Sequence, residues 1–239
     1  MLDRRELESA SRRLGPLAGG TKTSCRARAA SPTVSSMTVV LSVAAAAGTP
    51  SLRVRPWLAA DMPDLLAAMA REYPSRGLWS HPEVDVPGPQ RWTGPRSEQE
   101  AAIWLSGQEM GWERGDWLTF AVLDTLGSKA VGHVGLKNRD GGKLGIGERG
   151  EIGYWTAEDA RGRGIASAAV RAVTAWAFSS FGADGLPCIM LVHDVDNPAS
   201  CRVAAKCCYP FHEFSPAQPP LWFTDSHIHL AKAPQPWPP

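Results

Sequence analysis

Residues 151–181 read EIGYWTAEDARGRGIASAAVRAVTAWAFSSF, and this stretch decides the fold. Its first residues fit a β-strand with Glu151, Gly153 and Trp155 on one face. A polar loop follows, and the residues after Gly164 then repeat apolar side chains at helical spacing. The stretch therefore predicts a strand, a loop and a long helix in immediate succession.

The loop before this helix contains Arg161, Gly162, Arg163 and Gly164. The first N–H groups of a helix have no partner within the helix, and the helix dipole adds partial positive charge there. Glycine lets the backbone approach a ligand closely. The sequence therefore predicts a binding site for a phosphate group at this helix N-terminus.

The composition limits the class of protein. The 239 residues are 44% hydrophobic, which is enough for one domain with a sizeable core and tails. The formal net charge of +1 gives no sign of a nucleic-acid or membrane-surface partner, and we expect neither. No apolar run approaches the roughly 18 residues that a transmembrane helix needs. We expect a monomer or a homodimer.

The five cysteines are odd in number and lack a C-x-x-C spacing. Cys207 and Cys208 are adjacent, so they are poorly placed to bond each other or to share a zinc ion. We therefore expect reduced thiols and a cytoplasmic location.

The histidines give no metal-binding pattern in the sequence. His133, His193, His212, His227 and His229 lack metal-ligand spacing with a cysteine. His227 and His229 would share one face of a strand, but the sequence indicates no third ligand. No metal is predicted.

The chain divides into three parts. Residues 1–50 are rich in Ser, Gly, Ala and Arg without sustained periodicity, which predicts a disordered extension. Met37 is an alternative start that would remove most of this segment. Residues 51–231 form the predicted domain, and residues 232–239 a Pro-rich tail.

Within the domain, the pattern predicts an ordered series of elements. They are a strand at 52–57, a helix at 62–73 capped by Asp61, a long loop at 74–95, a helix at 98–113 with a capping box at Ser97 and Glu100, strands at 119–124, 130–137 and 151–156, the helix after Gly164, a strand at 188–193, a helix at 198–207, and a hairpin of 211–214 with 221–230. The apolar side of the second helix is predicted at Ile103, Trp104, Met110 and Gly111.

Connection lengths decide the fold class. The short turns between the three central strands require antiparallel neighbours, whereas the long helix is a crossover to a parallel strand. The predicted class is α/β, with a mixed and predominantly antiparallel sheet. This sheet is expected to open between the strands at 149–156 and 188–195, with the ligand in the gap.

The motif residues resemble a known family. Residues 161–166 (RGRGIA) fit the R/Q-x-x-G-x-G/A signature of the GNAT family of N-acetyltransferases. The preceding EIGYW and the sequence Asn197-Pro198-Ala199-Ser200 strengthen the resemblance, which extends from about Leu52 to Leu230. The resemblance is greatest to the branch that contains ribosomal-protein N-terminal alanine acetyltransferases and many small-molecule acetyltransferases.

The resemblance implies a GNAT fold and acetyl-CoA as co-substrate, with transfer of the acetyl group to a primary amine in a ternary complex. The acceptor is a protein N-terminus or a small-molecule amine. The loop N–H groups would bind the pyrophosphate, and the pantetheine arm would lie along the strand, with Asn197 across the gap. The predicted cofactor-binding residues are Tyr154, Trp155, Thr156, Arg161, Gly162, Arg163, Gly164, Ile165, Ala166, Ser167 and Asn197.

Three residues are candidates for proton transfer. Glu151 borders the predicted gap and could accept the proton of the amine; otherwise it is a carboxylate on the solvent side of the strand. The resemblance places Ser200 and Tyr209 where relatives have a general acid. The other interpretations are helix capping for Ser200 and core packing for Tyr209.

One position departs from the family pattern. The family commonly has glycine before the aromatic residue that follows this helix, whereas Cys208 precedes Tyr209 here. Glycine serves there as a left-handed helix cap, a conformation that is unfavourable for cysteine. The position of Tyr209 is therefore open.

Two further functions remain open at this point. One is a non-catalytic acyl-CoA-binding or sensory protein with the same fold, because fold alone does not fix function. The other is a nucleotide-binding enzyme that uses the glycine loop, although the sequence contains no GxxxxGK[ST] and the loop lacks GxGxxG spacing. The tryptophan-rich loop could form an acceptor pocket.

Overall fold

The computed structural model describes residues 39–70, 94–126, 128–138, 149–182, 185–218 and 224–234. Its strands and α-helices follow the predicted series closely. In chain order they are β1 (Leu41–Val43), β2 (Leu52–Pro56), α1 (Met62–Met69), α2 (Glu98–Arg114), β3 (Trp117–Asp124), β4 (Lys129–Asn138), β5 (Gly150–Thr156), α3 (Ile165–Phe181), β6 (Cys188–Asp194), α4 (Pro198–Lys206), β7 (Phe211–Ser215) and β8 (Ser226–Lys232).

The strands form one mixed sheet in the order β1-β2-β3-β4-β5-β6-β8-β7. Neighbouring strands are antiparallel except β5 and β6, which are parallel because α3 carries the chain back across the sheet. The last hairpin places β8 beside β6 and leaves β7 at the edge. The predicted α/β fold class, with its mixed and predominantly antiparallel sheet, is confirmed.

The sheet is covered on both faces at its centre, and β3 is buried along its whole length. Successive side chains of a strand point to opposite faces. Phe120 accordingly packs in the core cluster that includes Val170 of α3, while Ala121 packs with Leu65 of α1 on the other side. Residues of β4 and β5 belong to both cores, so these strands are packed on both faces.

The sheet opens between β5 and β6. The two strands pair only where Gly150–Ile152 meet Ile189–Leu191, although each strand has seven residues. Beyond these pairs the strands leave the shared ladder. The gap lies where the sequence predicts it, next to the N-terminus of α3.

The ordered domain begins earlier than predicted. Residues 1–50 are predicted as a disordered extension, but β1 at Leu41–Val43 pairs with Leu52–Val54 of β2, and Val39 is buried in the core. A three-residue strand has too few positions to show a periodic pattern, which is why the sequence gives no sign of it. Met37 lies outside the described residues.

Asp61 has a different role from the predicted one. It stands at the N-cap of α1, but its side chain makes no capping bond to the helix. The carboxylate instead accepts bonds of 2.7 and 2.8 Å from the Arg55 guanidinium and one of 2.9 Å from the Leu58 N–H. It therefore ties the short turn before α1 to β2.

The buried side of α2 also differs from the prediction. Ile103 and Met110 are 63% and 40% exposed, whereas Leu105 and Trp112 are buried. Gly111 permits close contact, because a Cβ there would lie 2.5 Å from the Trp117 carbonyl oxygen. This approach of α2 to β3 sets the buried side of the helix. The predicted Ser97 cap is present, with Ser97 Oγ accepting a bond from the Glu100 N–H.

The long predicted loop at 74–95, including Trp79 and Trp92, lies almost wholly outside the described residues. No helix in the described part of the chain is long and apolar enough to cross a membrane.

Candidate active site

A cavity of about 680 Å³ occupies the gap between β5 and β6. One wall is formed by residues 151–156 of β5 and by residues from 160 to 167 in the loop and first turn of α3. The opposite wall is formed by residues 191–194 of β6 and by residues of α4 from Asn197 to Lys206. We call these the β5–α3 wall and the β6–α4 wall.

The glycine-rich loop has the backbone that the sequence predicts. Gly162 and Gly164 have φ angles of +76° and +70°, which non-glycine residues rarely adopt. Gly164 is the N-cap of α3, and a Cβ added there would collide with Oγ1 of Thr49. Ala166 and Ser167 of the first helical turn also line the cavity, so the unpaired end of a helix borders this space.

The two loop arginines have different surroundings. Arg161 lines the cavity, and its Nε donates a 3.2 Å bond to the Thr156 carbonyl oxygen. Arg163 is not among the lining residues; its guanidinium forms a 2.7 Å ion pair with the buried carboxylate of Asp124 at the end of β3. The Arg163 side chain is thus held by Asp124, and its predicted contact with the cofactor stays a prediction.

Glu151 is buried, with 4% of its surface exposed, and it lines the cavity. It faces Lys137 across the β4–β5 ladder, and its carboxylate lies 3.1 Å from Lys137 Nζ. The same ammonium lies 5.4 Å from the centre of the Trp117 ring. Glu151 is thus a charged group held inside the gap rather than a carboxylate on the solvent side.

The two walls meet through a hydroxyl pair. The Tyr154 hydroxyl donates a 2.9 Å bond to Ser200 Oγ, and both residues line the cavity. Asn197 caps α4 by accepting a 3.2 Å bond from the Ser200 N–H. The sequence assigned only the backbone of Tyr154 to ligand binding, so its hydroxyl was missed. Only the position of α4 over β5 brings it to Ser200.

Tyr209 does not line this cavity. Its ring is 1% exposed, and its hydroxyl shares a 2.7 Å hydrogen bond with Thr174 Oγ1 of α3. Burial raises the pKa of Tyr209, and a phenol held in this way is a poor proton donor. The predicted catalytic role of Tyr209 is therefore corrected to a role in the core.

Cys208 explains how Tyr209 reaches that position. It adopts the left-handed conformation, with φ of +60°, although it is not glycine. The Tyr209 N–H bonds the Ala204 carbonyl at 2.9 Å and the Cys208 N–H bonds the Ala205 carbonyl at 3.3 Å, which together form a Schellman cap. Cysteine thus replaces the family's glycine without a change in the cap.

Basic side chains line the β6–α4 wall. Arg202 and Lys206 lie one turn apart on α4, and both border the cavity. Cations at this spacing suit a polyanionic ligand. Their place in the site was not predicted, because two exposed basic residues on a helix carry no specific signal in the sequence.

The histidines are not all core residues. His133 is one, since its Nδ1 accepts a 3.0 Å bond from Trp57 and burial lowers its pKa to about 3. His193 instead lines the cavity, and behind it lie His227, His229 and Cys201. The sequence indicated no third ligand for His227 and His229, whereas the structure brings both His193 and Cys201 to them.

The site combines an opened sheet with a glycine-rich helix N-terminus, and comparison with known proteins defines the class. The acetyltransferase (GNAT) domain family matches residues 51–208. The chain belongs to the GNAT family and is an acyltransferase, as the sequence motif predicts. Its reaction is acetyl-CoA-dependent N-acetylation. No curated protein sequence matches the chain.

Solved structures show the same fold. RimJ from Mycobacterium smegmatis, in complex with CoA-disulfide, is 18% identical; the match covers 82% of this chain and 86% of that one, with a TM-score of 0.61. RimL, a ribosomal alpha-N-protein acetyltransferase in complex with coenzyme A, is 17% identical over 81% and 98%, with a TM-score of 0.60. Ribosomal-protein-S5-alanine acetyltransferase from Vibrio fischeri is 18% identical over 79% and 96%, with a TM-score of 0.60.

Proposed function

We propose that this protein transfers the acetyl group of acetyl-CoA to a primary amine by direct attack within a ternary complex. One observation carries the proposal. A single cavity joins the glycine-rich N-terminus of α3, which suits a pyrophosphate, to the buried carboxylate of Glu151 near the closed end of the gap.

The order of the elements supports one direction for the cofactor. The loop follows the end of β5 that lies farthest from the paired residues Gly150–Ile152. With pyrophosphate on the N–H groups of residues 162–167, the pantetheine arm runs back along Tyr154–Thr156 towards Glu151. Asn197 contacts this arm from the opposite wall, and Arg202 and Lys206 supply positive charge for the phosphates.

The proton steps use groups that border the cavity. Glu151 takes a proton from the ammonium of the acceptor, and the neutral nitrogen attacks the thioester carbon. The nitrogen loses its second proton to the solvent, the carbon–sulfur bond breaks, and the thiolate takes a proton from the Ser200 hydroxyl. Tyr154 passes its hydrogen to Ser200 Oγ and takes another from the solvent, so both hydroxyls return to their starting state. Because Tyr154 donates its own hydrogen to Ser200 Oγ, the serine hydrogen is available for this transfer.

The acceptor that we propose to test first is the α-amine of a protein N-terminus. The support is the similarity in fold to RimJ, RimL and the S5-alanine acetyltransferase. A small-molecule amine is the other member of the same class and needs the same proton steps.

Thiol release tests the proposal. The full chain is mixed with acetyl-CoA and a panel of acceptors: peptides that begin with Ala or Ser, the same peptides with a blocked N-terminus, and small amines. Release of CoA that requires a free α-amine supports the protein acceptor. Binding of acetyl-CoA in calorimetry without turnover on any amine favours the non-catalytic alternative, and absence of binding refutes the placement of the cofactor.

A further inference from the structure

Four potential metal ligands converge behind the β6–α4 wall. They come from three elements: His193 from β6, Cys201 from α4, and His227 and His229 from β8. We call them the histidine–cysteine cluster. Their ligand atoms all lie within 4.8 Å of one another.

The register of the sheet produces this convergence. His193 is the cross-strand partner of His227, and His229 lies two residues further along the same face of β8. Cys201 reaches the three imidazoles from α4, which packs over the opened edge. Three elements that are distant in sequence therefore point their ligands to one place.

The spacing fits a tetrahedral zinc ion. Zinc bonds of about 2.0–2.1 Å to nitrogen and about 2.3 Å to sulfur imply ligand-to-ligand edges of roughly 3.3 Å for two nitrogens and 3.6 Å for nitrogen and sulfur. The Nε2 atoms of His193 and His229 are 3.3 Å apart. Cys201 Sγ lies 3.4 Å from His193 Nε2 and 3.4 Å from His227 Nδ1.

Backbone carbonyls orient two of the imidazoles for ligation. His193 Nδ1 lies 2.8 Å from the Asp194 carbonyl oxygen, and His229 Nδ1 lies 3.1 Å from that of Tyr209. A carbonyl oxygen can only accept, so each Nδ1 carries the hydrogen, and each neutral ring presents a lone pair on Nε2. Two lone pairs that face each other at this distance repel unless a cation lies between them. An N–H bonded to a backbone carbonyl is also the usual second-shell partner of a metal-bound histidine.

We propose that His193, Cys201, His227 and His229 bind one zinc ion. Three imidazoles and one thiolate are ligands that zinc favours, and four protein ligands leave no open position, which defines a structural rather than a catalytic site. On binding, the Cys201 thiol loses its proton to the solvent and forms the sulfur–zinc bond. The ion ties α4 to β6 and β8, directly beside Ser200, and so holds the β6–α4 wall in place.

The proposed zinc site takes no part in acyl transfer, so it can be tested without measuring acetyltransferase activity. The full chain is stripped of metal with a chelator and titrated with Co²⁺ and then Zn²⁺. We expect one ion per chain, a tetrahedral Co²⁺ spectrum with a thiolate-to-cobalt charge-transfer band, and a rise in the unfolding temperature with Zn²⁺.

Matched variants locate the ligands. Cys201→Ser is expected to lose the charge-transfer band and to weaken Zn²⁺ binding by about 100-fold or more. His229→Gln is expected to weaken it similarly. Cys208→Ser and His212→Ala change exposed residues outside the cluster and should bind as the wild type does.

Metal-free samples of each variant are compared by circular dichroism, so that misfolding is distinguished from loss of a ligand. If a variant does not fold, the wild-type titrations decide the matter alone. The proposal is overturned if Zn²⁺ leaves the unfolding temperature of the wild type unchanged, or if Co²⁺ gives no charge-transfer band. It is also overturned if folded Cys201→Ser binds Zn²⁺ as tightly as the wild type does. A further such result is an NMR spectrum that shows, in the presence of Zn²⁺, a proton rather than a metal ion between the imidazoles of the cluster.

Discussion

The two walls of the cavity differ in how their residues come together. The β5–α3 wall is one continuous stretch of chain, from Glu151 to Ser167, and its strand, loop and helix follow from a local pattern. The β6–α4 wall draws on β6 and α4, with β8 behind it, and its groups meet only after the sheet has formed. A loop motif can therefore identify a cofactor site from the sequence, whereas the residues on the facing wall depend on the register of the strands.

The largest expected effect comes from the β5–α3 wall. If Glu151 is the base, Glu151→Gln should lower kcat by about 100- to 10,000-fold, the range for loss of a general base. The Kd for acetyl-CoA should stay the same, because the proposed cofactor contacts come mainly from the loop. A thiol-release assay measures kcat, and calorimetry measures the Kd for acetyl-CoA.

Glu109→Gln on the exposed side of α2 is the control and should behave as the wild type. An unchanged kcat in Glu151→Gln would show that Glu151 is not the general base.

The next effect concerns the helix N-terminus on the same wall. Ala166→Glu places a carboxylate beside the proposed pyrophosphate and should weaken acetyl-CoA binding by about 30-fold, or ~2 kcal/mol. Ala166→Gln has nearly the same shape without the charge, so it measures the steric part. Calorimetry at two salt concentrations should show a salt-dependent difference between the variants. Equal affinities would place the phosphates elsewhere.

A smaller effect tests the contact between the walls. Tyr154→Phe and Ser200→Ala should each lower kcat by about tenfold, and the double variant should be little worse than either single one, because both remove the same hydrogen bond. Ser179→Ala, on the exposed side of α3, is the control. Fully multiplicative effects would show that the two hydroxyls act independently.

The smallest effect concerns the cap of α4. Cys208→Gly should raise the free energy of unfolding by up to about 1 kcal/mol, because glycine relieves the left-handed strain while gaining entropy in the unfolded chain. Urea unfolding measures the change. Cys208→Ala keeps the strain and should give no gain, so equal stability of the glycine and alanine variants would contradict the argument.

Local patterns predicted the elements well. The strand, loop and helix at 151–181, the gap and the Ser97 cap all follow from spacing, turn chemistry and connection length. The helix cap at Cys208 shows the limit of such rules, since its hydrogen bonds form despite an unfavourable residue. The sequence pattern does not show whether the energy of the contacts that hold the cap exceeds the energy of the left-handed strain.

Long-range contacts explain what the sequence missed. The ion pair of Arg163 with Asp124 at the end of β3 was not predicted, because it forms only once the sheet has formed. Tyr209 turns towards Thr174 because the chain leaves α4 beside α3. Cys201 joins three histidines only through the pairing of β6 with β8. None of these contacts connects residues that are neighbours in the sequence.

The contact between Thr49 and Gly164 bears on where the functional unit begins. Thr49 closes a tight turn with Ala46, in which each residue's N–H bonds the other's carbonyl, and its side chain rests against the cap of α3. The family match begins at residue 51, just after this turn. A protein that began at residue 51 would keep every motif residue but lose the lateral support of the glycine loop. The residues that match the family and the residues that support the glycine loop therefore begin at different positions in the chain.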